Sequence, residues 1–228
     1  MEKLESIANQ IREQFDARTA ARDQALTQAR ALTRACSQAI RAVHRDEDET
    51  MNAHLDEARQ LAESLRSGLM KQHPDLYYAG YTQDALKEFV EANATCALIK
   101  NQPLPDPQEL AVEYNTYLNG LSEVIGELRR RSLDILRHGY SAEAERLLTS
   151  MDDIYSILVT MDYPDAITNG LRRQTDVARS IIERTRGDIT FSLRGEHLER
   201  AISRLSEQIS GDAGPDGPAL KHFGGEEG

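Results

Sequence analysis

The chain has 228 residues and a formal net charge of −11, with 39% hydrophobic and 29% charged residues. This acidic balance argues against a general nucleic-acid-coating protein, because such proteins carry an excess of cations, but it allows a local basic groove. No apolar run approaches the roughly 18 residues that a membrane span requires.

The N-terminal segment MEKLESIANQ is amphipathic and lacks the hydrophobic core of a signal peptide. Cys36 and Cys96 lie in apolar contexts without a CxxC spacing, so we expect two buried free thiols. These features predict a cytoplasmic protein that does not enter a membrane.

The first 67 residues contain neither glycine nor proline. Leu4, Ile7, Ile11 and Phe15 recur at spacings of three or four, which predicts a long amphipathic helix. The segment HRDEDET interrupts this stripe, and a second helix is expected to continue to about residue 71.

Further helical segments follow, separated by proline and glycine signals such as NQPLPDP. We predict helices at residues 82–100, 107–137, 141–161, 165–186 and 195–208, with Gly139 and Ser141 as caps. Together these segments predict an all-α bundle of about seven helices as one domain of residues 1–208. Residues 209–228 are rich in glycine and acidic residues and are predicted to be a disordered tail.

Two apolar-rich segments each carry a pair of carboxylates at helical spacing. EFVEANATCAL contains Glu88 and Glu91, and LSEVIGELRRR contains Glu123 and Glu127. Residues three or four apart share one face of a helix, so two antiparallel helices could bring all four together. Four carboxylates would suit a hard cation such as Mg²⁺ or Mn²⁺.

An alternative is that these carboxylates are solvated. Relative to the apolar stripe Leu121, Ile125 and Leu128, both Glu123 and Glu127 fall on the opposite side of an ideal helix. Spacing alone therefore favours the solvated face and leaves the metal site open.

Aromatic residues and cations cluster between the second and third predicted helices. His73, Tyr77, Tyr78 and Tyr81 follow Lys71. Such a group can stack with single-stranded bases, or it can hold a loop against the bundle.

Three blocks together resemble the translin superfamily, especially its archaeal members and the TRAX branch. They are HPDLYYAGYTQDALKEFVEA, YLNGLSEVIGELRRRSLDILRHG and LLTSMDDIYSILVTMDYPDAITNGLRRQTDVARSIIERTRGDI, and the resemblance extends over roughly residues 4–205. It implies a fold of seven helices, homo-oligomers shaped as hollow octamer-like shells, and binding of single-stranded RNA and DNA. In the TRAX branch, acidic residues catalyse metal-dependent endoribonuclease cleavage.

The resemblance places Glu88 and Glu91 of KEFVEA in catalytic, metal-binding positions. In SEVIGEL, Glu123 stands where TRAX has Asp, and Glu127 stands where TRAX has Glu. The side chain of Glu123 is one methylene longer than that of Asp, which alters the geometry of the metal ligands at this position. Plain translins lack part of this acidic set, so its retention favours an endoribonuclease using Mg²⁺ or Mn²⁺ over a non-catalytic binding protein.

Translin binds nucleic acid through a basic cluster before its third helix, where this chain has only Lys71 and His73. Further candidates for phosphate contact are Arg129, Arg130, Arg131, Arg172 and Arg173. The same arginines could instead form salt bridges. All-α nucleotide pyrophosphohydrolases also combine Glu-x-x-Glu with a later acidic pair, although the interval from Glu91 to Glu123 is long for that class.

Overall fold

The computed structural model describes residues 1–212, which form eight helices and no strand. The helices are α1 (Glu2–His44), α2 (Asp48–Leu69), α3 (Pro74–Tyr77), α4 (Gly80–Ile99), α5 (Tyr114–Leu136), α6 (Ala142–Leu158), α7 (Asp165–Thr168) and α8 (Leu171–Asp212). The predicted all-α class is confirmed. Among the described helices, none combines the length and the apolar character that a membrane span needs.

Two hydrophobic clusters build the bundle, and α4 contributes to both. One cluster joins α1, α2 and α4 around Leu65 and Phe89, and the other joins α5, α6 and α8 around Leu128 and Met151. Each of these four side chains is at most 1% exposed. Complete burial of such a side chain stabilises the fold by about 1.5–3 kcal/mol.

The helices α4 and α5 approach each other closely at Gly120. A Cβ atom at this position would lie 2.6 Å from the Cβ atom of Val90 and 3.0 Å from the backbone oxygen of Lys87. Because glycine has no side chain, the two helix backbones can approach closely at this point. This close approach sets the distance between the side chains that α4 and α5 direct towards each other.

Two local predictions are confirmed. The Ser141 hydroxyl accepts a hydrogen bond of 3.2 Å from the backbone nitrogen of Glu143 and so caps α6. Cys36 and Cys96 are buried free thiols. The predicted cap at Gly139 is wrong, because the C-cap residue of α5 is Arg137; Gly139 lies two residues further on and adopts a φ of 106°, in the left-handed region that glycine favours.

The predicted start of the fourth helix at residue 107 is wrong. Asp106 and Glu109 exchange backbone-to-carboxylate hydrogen bonds of 2.8 Å, the local signal of a helix start. Ala111 then adopts a φ of 52°, which ends the turn, and α5 begins only at Tyr114.

The helices predicted at residues 165–186 and 195–208 have different boundaries in the structure, which has a short α7 and one long α8. Asn169 and Gly170 both adopt positive φ and separate the short α7 from α8. The predicted break after residue 186 is absent, because α8 continues through Gly187 and Gly195. A glycine costs a helix only about 1 kcal/mol, and buried Ile189 keeps the segment beyond Gly187 packed on the bundle.

The last predicted helix boundary, at residue 208, is four residues short of the observed end of α8 at Asp212. The rest of the segment predicted to be a disordered tail lies outside the described residues.

Both long helices carry apolar faces that the rest of the described chain leaves exposed. On α1 these side chains are Leu4, Ile7, Ile11 and Phe15, which are 43–65% exposed. On α8 they are Phe191, Leu198, Ile202 and Leu205, which are 55–81% exposed. The periodicity of the first helix is therefore as predicted, but only its C-terminal half packs within the monomer.

We expect the substitution Gly120→Ala to lower the free energy of unfolding by about 2 kcal/mol, since the new methyl group would overlap Val90 and the α4 backbone. The matched control is Gly187→Ala, because nothing lies within 4 Å of a Cβ atom there. It should stabilise α8 by up to about 1 kcal/mol. Denaturant unfolding measures both changes, and equal effects of the two substitutions would contradict the close α4–α5 contact.

Candidate metal centre

The structure brings three of the four predicted carboxylates together. Glu88 and Glu91 on α4 and Glu123 on α5 each place a carboxylate oxygen within 4.8 Å of the others. All three residues are partly buried. The expectation of solvated glutamates on α5 is therefore wrong for Glu123.

The solvated-face expectation fails because α5 lies at the centre of the second half of the bundle. Its apolar stripe, including Ile125 and Leu128, is completely buried in the core shared with α6 and α8. The opposite side of α5 is covered by α4, which approaches closely at Gly120. Glu123 lies one turn after Gly120, so it is directed into the interface between the helices.

Glu127 lies one turn further along α5 and has its own partner. The Nε2 atom of His44, at the end of α1, donates a hydrogen bond of 2.6 Å to the Glu127 carboxylate. The His44 side chain is only 3% exposed, and its Nδ1 atom has no hydrogen-bond partner among the described residues. The hydrogen bond from His44 lowers the pKa of Glu127, although burial opposes this effect. Glu127 is thus ionised beside the three-carboxylate cluster.

The clustered carboxylates repel one another. Burial, followed by the charges of Glu88, Glu123 and Glu127, raises the pKa of Glu91 to about 8. Burial and the charge of Glu123 also raise the pKa of Glu88. Without a cation the cluster therefore retains a proton at neutral pH.

Among the described residues, Lys87 places a cation beside this cluster. The ammonium group of Lys87 lies 2.6 Å from a Glu123 carboxylate oxygen and 3.9 Å from one of Glu88. Burial alone would lower the pKa of Lys87, but the hydrogen bond to Glu123 and the carboxylate charges raise it. Lys87 therefore stays charged and offsets part of the repulsion.

The donor set fits a hard divalent cation. Converging carboxylate oxygens are the ligands that Mg²⁺ and Mn²⁺ prefer. The raised pKa of Glu91 and the salt bridge from Lys87 indicate a surplus of negative charge that a bound cation would neutralise.

The arginines that were predicted to contact phosphate lie in different environments. Arg129 pairs with Asp188 at 2.8 Å and donates to Thr185, which ties α5 to α8. Arg131 forms a two-pronged pair with Asp46 at 3.0–3.2 Å, which ties α5 to the turn after α1. Arg130 is exposed and lies 3.5 Å from Glu127, next to the carboxylate cluster.

Arg172 and Arg173 are exposed at the start of α8, and neither forms an ion pair within the described part of the chain. Lys71 is exposed, and His73 is the N-cap residue of α3. Tyr77 is 1% exposed, which agrees with the alternative that these aromatics hold the loop against the bundle.

Lys87 and His44 were not predicted from the sequence. Lys87 is adjacent to Glu88, and neighbouring residues do not share a helix face, so only the approach of α5 reveals its role. His44 and Glu127 are 83 residues apart, and no sequence pattern connects them.

Comparisons with known proteins agree with this architecture. An uncharacterised protein of Methanocaldococcus jannaschii is 32% identical over 193 residues, which cover 82% of this chain and 85% of that protein. AfC3PO, solved in complex with duplex RNA, is 31% identical with a TM-score of 0.76, covering 82% of this chain and 96% of that one. The chain belongs to the translin superfamily.

Apo-NeC3PO is 22% identical, has a TM-score of 0.74 and covers 81% of this chain and 96% of its own. It shares the fold of this translin-family chain. No family model matches the sequence.

The substitution Glu91→Gln should stabilise the metal-free protein at high pH. The folded protein holds a proton on Glu91 up to about pH 8, whereas an unfolded chain loses it near 4.5, so wild-type stability falls as the pH rises between these values. We expect the variant to be more stable by on the order of 2 kcal/mol at high pH. Below pH 4.5 it should match the wild type.

Unfolding with denaturant in the presence of a chelator measures this difference. The control Glu13→Gln removes an exposed carboxylate from α1 and should show no such pH dependence. A constant difference between Glu91→Gln and the wild type at all pH values would contradict a raised pKa for Glu91.

Proposed function

We propose that this translin-family protein is a metal-dependent endoribonuclease that acts on single-stranded RNA. The observation that carries the proposal is the cluster of Glu88, Glu91 and Glu123 oxygens within 4.8 Å of one another. The similarity to AfC3PO, which has been solved with duplex RNA, supports RNA as the ligand. Single-stranded DNA is a second nucleic acid that the protein is expected to bind.

The chain's own residues would act as follows. Glu88, Glu91 and Glu123 would hold Mg²⁺ or Mn²⁺, and the bound ion would polarise a phosphodiester and lower the pKa of a water molecule. Glu127, kept ionised by His44, is placed to accept a proton or to orient a water molecule beside the cluster.

We propose two roles for Lys87, one without a bound cation and one with it. Its ammonium group neutralises Glu123 when no divalent cation is bound. Once the carboxylates hold a cation, the same ammonium group is close enough to the cluster to contact a phosphate oxygen.

Among the sequence-predicted phosphate contacts, the exposed residues are Arg130, Arg172, Arg173 and Lys71. Lys71 and His73 remain candidates beside α3. Arg129 and Arg131 are committed to Asp188 and Asp46, so we assign them to stability rather than to RNA binding.

The main alternative is a non-catalytic protein that binds single-stranded nucleic acid, as translins do. A second alternative, a nucleotide pyrophosphohydrolase, depends only on the carboxylate pattern. Assays with RNA and with nucleoside triphosphates on protein that has been stripped of metal and refilled with Mn²⁺ distinguish these activities.

We expect Glu88→Gln or Glu91→Gln to reduce Mn²⁺-dependent cleavage of single-stranded RNA by a factor on the order of 10² or more. Each change removes a charged oxygen ligand while preserving the shape of the side chain. RNA binding should persist, because cations rather than glutamates contact the phosphates. Glu123→Gln and Glu127→Gln should lower cleavage in the same assay.

The matched control is Asp153→Asn, which removes an exposed carboxylate from α6. It should cleave like the wild type. Wild-type cleavage by Glu88→Gln and Glu91→Gln would rule out the metal site, and RNA binding without cleavage by the wild type would favour the binding-only alternative.

We also propose that the protein is a homo-oligomer larger than a dimer, in the form of a closed octamer-like shell. The support is the pair of uncovered apolar faces on α1 and α8, since exposed apolar patches mark contact surfaces.

Light scattering at micromolar concentration should give a mass above that of a dimer. Replacing Ile11 and Phe15 with Ser should reduce the mass, since two exposed apolar side chains are lost from the α1 face. Replacing Ile157 with Ser, an exposed apolar residue on α6 and so outside these faces, is the control. A monomer mass for the wild type would refute the oligomer.

A further inference from the structure

The second half of α1 has an unusual charge composition for so acidic a chain. From Gln24 to Arg45 the sequence QALTQARALTRACSQAIRAVHR contains four arginines and no Asp or Glu, although the whole chain carries a net charge of −11. The arginines are Arg30, Arg34, Arg41 and Arg45. All four are exposed.

These arginines share one face of the helix. An α-helix turns about 100° per residue, so the four side chains lie within about 60° of arc. They extend along about 22 Å of the helix axis, in two pairs with i,i+4 spacing. We call these four residues the α1 arginine face.

The α1 arginine face has no partner within the part of the chain that the structure describes. None of its four guanidinium groups forms a hydrogen bond or an ion pair with another described residue. By contrast, Arg18, Arg129, Arg131, Arg146 and Arg186 are each paired with a carboxylate. A row of like charges without counter-ions destabilises a helix slightly, which indicates that the row serves a ligand.

The C-terminal end of the α1 arginine face lies one helical turn from a residue that contacts Glu127. Arg41 lies one turn before His44, which donates its hydrogen bond to Glu127. Cys36, also on α1, is close enough to Glu88 and Glu91 for their charges to raise the pKa of its thiol, in addition to the larger effect of burial. The same segment of α1 therefore has the carboxylates at its inner edge and the arginines on its outer face.

We propose that Arg30, Arg34, Arg41 and Arg45 form a binding track for the phosphate backbone of RNA, which leads the strand to the carboxylate cluster. This inference rests on the proposed function and specifies the surface that holds the substrate. Guanidinium groups suit the role because each can donate two parallel hydrogen bonds to one phosphate. Contacts of this kind bind without regard to base sequence.

The test is the binding of fluorescent oligouridine of about 16 nucleotides to the full-length protein, in a chelator and at several salt concentrations. We expect Arg30→Gln/Arg34→Gln and Arg41→Gln/Arg45→Gln each to weaken binding on the order of tenfold at about 0.1 M salt. Each double variant should also reduce the slope of log K against log salt by about 1.4, since about 0.7 counterions are released per phosphate contact with a single strand.

The matched control is Arg179→Gln/Arg184→Gln, which removes the same charge from α8, where both arginines bond to residues of their own helix. It should change neither affinity nor slope. Melting temperature and oligomer mass are measured for every variant, and both should equal the wild-type values.

Three other results would each overturn either the proposed track or the proposed function. If the wild type binds oligouridine and the α1 variants keep its affinity and salt slope, the track is wrong while the proposed function stands. If the α1 variants change oligomer mass without weakening binding, the face is a contact between subunits. If the wild type does not bind, both the track and the proposed RNA-directed function are wrong.

Discussion

The contact of Gly120 with α4 controls the geometry of the rest of the site. With no Cβ atom on α5 at this point, Val90 and the backbone of Lys87 can lie against the helix itself. Glu123 is one turn away on α5, and Glu88 is next to Lys87 on α4, so the same close approach brings their carboxylates together. A larger residue at position 120 would separate the helices and move the ligands apart.

The closeness that assembles the cluster also creates its electrostatic problem. Carboxylates that share a partly buried site cannot all ionise without a large free-energy cost. The chain offsets this cost in three ways: Lys87 pairs with Glu123, His44 donates to Glu127, and Glu91 keeps its proton. A divalent cation would relieve the same repulsion, which is why the arrangement is consistent with the proposed metal chemistry.

Much of the fold could be predicted because helix periodicity depends on residues only three or four positions apart. The predictions that failed concern helix ends. A helix-start signal at Asp106 produced only a turn because Ala111 takes a positive φ, and Gly187 did not end α8 because buried Ile189 keeps the chain helical beyond it. In both places the packing of neighbouring segments outweighed the local preference.

For the site, the sequence by itself determined that Glu88 and Glu91 share a helix face, as do Glu123 and Glu127, and the family resemblance favoured joining the two pairs. Only the tertiary structure decided that α4 covers the polar side of α5, that Glu123 joins the cluster, and that Glu127 is held instead by a histidine 83 residues away. The reason is physical: neighbours within one helical turn follow from the backbone geometry, whereas contacts between distant residues exist only after whole helices have packed.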